Sequence, residues 1–166
     1  MKKIITLLTT FILSISLFAC GQSGFEIKPD NKDDVKYATQ NPLTVIEYNL
    51  LANREITVFT NQINTRLSLL RNLKDGTDVD TLESERQNAE HSKQLMEEAL
   101  NSFATAKPPT TYEDERTNTI RIMEDCIAHL DEYIDSLGNG GKLNDFNDVF
   151  ENDFISITAE ASLYNQ

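Results

Sequence analysis

Between Pro42 and Tyr164, apolar side chains recur every three or four residues in four successive blocks, and short breaks separate the blocks. Such spacing keeps one face of an α-helix apolar, because the helix turns once every ~3.6 residues. No stretch in this region alternates residue by residue as a half-buried strand does. Four amphipathic helices on short connections have one simple arrangement: neighbours run antiparallel, and each stripe leaves water only by meeting the other three. The expected fold is therefore all-α, an up-down-up-down antiparallel four-helix bundle. The alternative is a three-helix bundle whose fourth helix packs across its end or is swapped between chains. No internal repeat is evident, so a helical solenoid is not expected.

The pattern predicts a first helix over about Leu43–Leu73, opened by Asn41 as cap and Pro42 in the first turn. Val45, Ala52, Ile56, Phe59, Ile63, Leu67 and Leu70 share its stripe, while Leu51, Val58 and Leu69 fall outside it. Gly76 and the residues around it read as a turn. A second helix over Val79–Thr105 carries Leu82, Ala89, Ser92, Met96, Ala99, Leu100 and Phe103, and Pro108-Pro109 stops it. Thr110 and Glu113 form a capping-box pair for a third helix. Its seam is Tyr112, Arg116, Ile120, Met123, Ile127, Leu130, Ile134 and Leu137, ending at Gly138 as a left-handed cap. A fourth helix, about Leu143–Leu163, aligns Leu143, Phe146, Phe150, Phe154, Ile157, Ala161 and Tyr164. Ile155 lies on its opposite side.

The first twenty residues follow different rules. Lys2 and Lys3 precede a 15-residue apolar run, Ile4 to Phe18, and Ala19-Cys20 closes it. The run is shorter than the ~20 residues a spanning helix needs, and Thr and Ser interrupt it. Positive residues, apolar run and Ala-Cys in this order resemble a bacterial lipoprotein signal sequence with its lipobox. The resemblance implies thioether lipidation of Cys20, cleavage between Ala19 and Cys20, and retention at the extracytoplasmic face of the cell membrane. Two or more acyl chains suffice for stable anchoring, where one is marginal.

Cleavage there would leave 147 residues with 13 basic against 27 acidic side chains, a net charge of −14. Such a surface repels phosphates and anionic headgroups alike, which argues against nucleic-acid binding and against a domain lying flat on the bilayer. Residues 21–41 are polar, contain Gly, Pro, Asn, Asp and Lys, and show no period. They read as a tether spanning on the order of 25 Å by random-coil scaling. The domain division expected is a signal peptide over 1–19, lipidated Cys20 and tether over 20–41, and the bundle over 42–166.

Chemistry-bearing motifs are few. His91 and His129 fall on outward faces of their helices, and no Glu-x-x-His pair of the di-iron type occurs. Cys126 and Asp125 each have a metal-like spacing to His129, but neither has a clear third ligand. Cys126 flanks a seam, where a small buried thiol is the usual reading. Asp75, Asp78 and Asp80 lack calcium-loop order, because Gly76 stands second where a glycine is needed sixth. Gly138 to Gly141 precede Lys142 without the Walker spacing or a preceding strand. Asp131 and Asp153 lie near the edges of their stripes. Neither a serine elbow nor a Cys–His dyad nor an inward carboxylate pair can be drawn.

The expected function is thus non-catalytic: an anchored bundle, without cofactor or metal, that binds a protein or peptide outside the cytoplasm as an envelope accessory, immunity or exclusion factor. Leu51, Val58, Leu69 and Ile155, apolar and off-stripe, are the candidate partner contacts. The alternative is a small-ligand or metal binder with its site between helices.

Overall fold

A computed structural model describes residues 42–71, 78–139 and 143–165. The signal sequence, Ala19, Cys20 and the tether lie outside the described residues, as do Asn41 and Gly76. Four helices are present: α1 Val45–Leu70, α2 Val79–Thr105, α3 Glu113–Gly138 and α4 Phe146–Leu163. Single 3₁₀ turns, Thr110–Tyr112 and Leu143–Asp145, lead into α3 and α4. There is no strand among the described residues.

The helices form a closed ring in which each packs on its two neighbours in sequence, with α4 returning to α1. Direction follows from which ends meet. Tyr48 near the start of α1 stacks on Phe103 near the end of α2, lies tilted against Tyr112 before α3 and meets Tyr164 after α4 edge to face. At the other end, Arg66 of α1 pairs with Glu85 of α2, to which Tyr133 of α3 donates. Tyr133 in turn meets Phe146, the first residue of α4. The chain is an up-down-up-down antiparallel four-helix bundle.

The core is the sum of the four stripes plus aromatic residues that periodicity does not single out. Ala52, Ile56, Phe59, Ile63, Leu67 and Leu70 are buried, and so is Tyr48. Val45, at the head of the same stripe, is 43% exposed because the bundle ends beside it. The α3 seam is turned by about one residue from the expected one. Thr119, Met123, Cys126, Leu130, Tyr133 and Leu137 are buried, whereas Ile120, Ile127 and Ile134 pack half-buried at its margin. Hydroxyls explain the rotation: Thr119 donates to Glu160 Oε2 at 2.6 Å and Tyr133 to Glu85 Oε1 at 3.1 Å, so both go inward without losing their hydrogen bonds.

Several helix ends also differ from expectation. Thr44, not Asn41, caps α1: its hydroxyl accepts from Glu47 N–H, while Glu47 accepts from Thr44 N–H at 2.9 Å, a complete capping box. The Thr110–Glu113 box does not form, because Thr110 enters a 3₁₀ turn and α3 starts without a side-chain cap. Gly138 is no left-handed cap. It is the last residue of α3, and Asn139 closes the helix at φ −105° with its N–H donating to Asp135. On α2, Asp78 caps by accepting from Thr81 N–H at 2.9 Å.

Candidate functional site

Polar groups inside the bundle sit at defined heights and join specific helix pairs. Arg66 Nη1 and Glu85 Oε1 are 2.9 Å apart, with side chains only 4% and 5% exposed. The N–H directions of Arg66 miss a good hydrogen bond, and its Nε also finds no acceptor among the described residues. Burial pushes Glu85 above its ordinary value against the pull of Arg66 and Tyr133. Beside Arg66 lies a space between helices, lined by Gln62, Met96, Cys126, Leu130 and Phe150, that is too narrow for a water molecule.

Cys126 faces this space, and burial drives its thiol far above the ordinary range. The thiolate needed for nucleophilic or metal chemistry is therefore disfavoured at neutral pH. His129, one turn further along α3, is not simply outward: its Nδ1 sits 2.9 and 3.0 Å from the two carboxylate oxygens of Asp153 on α4. Asp153 is buried, and burial raises it despite the hydrogen bond with His129. Asp131, by contrast, is exposed and pairs with Lys93 across the α2–α3 seam at 2.6 Å. His91 is exposed. Among the described residues no group of three His, Cys, Asp or Glu side chains could hold a metal ion.

At the opposite end, Glu160 is buried and accepts from Asn118 at 2.8 Å and from Thr119, which also bonds the Tyr164 hydroxyl at 2.8 Å. Burial pushes the Tyr164 phenol up to about 12. Arg116 does not turn to water as its place near a helix end implies. Its guanidinium donates to the Ala104 carbonyl at the end of α2. These contacts close the polar end of the core and fix the height of α4 against α3.

The candidate contact residues fall in different settings. Leu51 and Val58 are half-buried against the core. Leu69 is half-buried at the rim of a shallow groove with Asp80, Ser84 and Glu85. Ile155 is exposed on α4. A denser apolar surface lies elsewhere. Ile46 and Leu50 are 73% and 67% exposed, and they stand one turn apart on α1. Val45 beside them lines a groove of about 380 Å³ with Thr111, Tyr112, Glu115 and Leu163. Val45 links the groove to its chain neighbour Ile46, and Asn53 further along α1 donates to the Tyr164 carbonyl next to Leu163, which ties α1 to the end of α4. The signal for this surface was present in the sequence as an i, i+4 apolar pair lying off the stripe.

No family model, curated protein or solved structure matches the chain.

Proposed function

We propose that the protein is a membrane-anchored, extracytoplasmic lipoprotein held through Cys20, and that its bundle binds a protein or peptide partner without catalysing a reaction. The lipobox-like order of Lys2-Lys3, apolar run, Ala19 and Cys20 supports the anchor. No described helix is long and apolar enough to cross a membrane.

One observation carries the binding role: Val45, Ile46 and Leu50 are large apolar side chains left in water within six residues of one another, at the end of the bundle where the chain enters from the tether. Scattered exposed apolar residues are ordinary, but a close-set group of them with a groove at one member, Val45, marks a contact surface. The burial of Cys126, which disfavours its thiolate, supports the non-catalytic part. An envelope accessory, an immunity factor and an exclusion factor would each use such a surface.

Photo-crosslinking in the native cell tests this. A photoreactive residue at position 50 should give a discrete protein adduct, and one at exposed Thr65 on the same helix should not. Equal labelling at both positions, or lipid adducts alone, would contradict the reading.

A further inference from the structure

We infer that the partner docks a cationic amphipathic segment, its apolar side chains on Ile46, Leu50 and the Val45–Tyr112–Leu163 groove and its lysines or arginines on the first turn of α3. This rests on the binding role proposed above and adds the partner's chemistry. Val45, Ile46 and Leu50 supply the apolar half, and the groove beside Val45 is mixed, with Thr111 and Glu115 set among Tyr112 and Leu163. Its wall is Glu115, and the same turn carries Glu113 and Asp114, both exposed. Glu47 stands exposed one residue from Ile46.

Among the described residues three cations are near: Arg54, exposed one turn beyond Leu50, is paired with Glu55, Arg116 is engaged with the Ala104 carbonyl, and Lys107 is exposed at the position whose carbonyl accepts from Leu43 N–H. With Glu55 that makes five carboxylates against three cations, which leaves the rim negative. Exposed apolar side chains beside an acidic rim select for apolar and positive groups at helical spacing in the occupant and against an acidic one. A second copy of this chain is disfavoured as occupant by its own excess of acid, 27 against 15 basic residues over the whole sequence.

The test uses the acylated chain from Cys20 onward in nanodiscs of zwitterionic lipid, with empty nanodiscs as reference. The probe is a fluorescent helical peptide of about eighteen residues made of Leu and Lys at amphipathic spacing, and a second peptide carries Glu in place of Lys. The Lys peptide should bind with Kd on the order of 10 µM and lose most of its binding in ~0.5 M salt. The Glu peptide should not bind.

The triple variant E113Q/D114N/E115Q should weaken binding at least about tenfold, as should I46D/L50D. The control E124Q/E132Q/E151Q neutralises three exposed carboxylates elsewhere on α3 and α4 and should change it less than about twofold. Helicity of each variant is checked by circular dichroism. Equal binding of the two peptides, or equal loss in the control, overturns the inference. A crosslinked protein at position 50 without Lys-peptide binding overturns the cationic partner and leaves the binding role standing. Failure of both overturns both.

Discussion

At the scale of single residues, Arg66 and Glu85 form the most deeply buried ion pair among the described residues. Both are charged, both are almost wholly out of water, and each is the other's compensation. Removing one leaves an unpaired buried charge, which costs far more than the pair is worth. Glu85→Ala and Arg66→Ala should each lower unfolding free energy by about 3 kcal/mol or more, and R66M/E85M by clearly less, in urea titrations. Asp153 gives a pH signature. Because burial raises its folded pKa above the usual carboxylate value, its stabilising proton is bound at low pH and lost as pH rises through the raised pKa. Parent stability relative to Asp153→Asn should therefore fall as pH rises above ~4. A difference that grows with pH would contradict the assignment. These two sites show what a lone sequence leaves hidden: Asp153 reads as an edge residue and His129 as an outward one, because their pairing joins two helices. Cys126 was legible, since a small thiol beside a seam has few other places to go.

At the scale of elements, periodicity located all four helices, and α2 runs over the expected Val79–Thr105. Helix ends were less legible, because several residues can cap and local geometry chooses among them. Thr44 won at α1 because Glu47 lies three residues on and answers its N–H. Thr44→Ala should cost about 1 kcal/mol, and thermal unfolding of the variant checks it; no shift would mean the box is ornamental. The α3 seam was misplaced for a related reason. Hydrophobicity ranks Ile above Thr and Tyr, yet Thr119 and Tyr133 are carried inward by acceptors on α4 and α2 that lie far away in sequence. The same cross-helix polar contacts fix register, as Ser92 donates to Gln62 at 2.8 Å and Ser102 to Glu55 at 2.7 Å between α2 and α1.

At the scale of the whole molecule, the bundle architecture was legible because four stripes on short connections admit few arrangements. The exposed apolar surface proposed for partner contact was only partly so. An i, i+4 pair such as Ile46 and Leu50 is visible on a helical wheel, but whether a neighbour covers it depends on where the bundle stops. In the proposed function Cys20 gives that surface its place in the cell, since the bundle would be presented at the membrane only if Cys20 is acylated. Metabolic labelling with palmitate tests this claim most directly. The account predicts label in the parent chain, none in Cys20→Ala, and release of that variant from the membrane fraction. An unlabelled parent, or a variant that stays on the membrane as firmly as the parent, would contradict it.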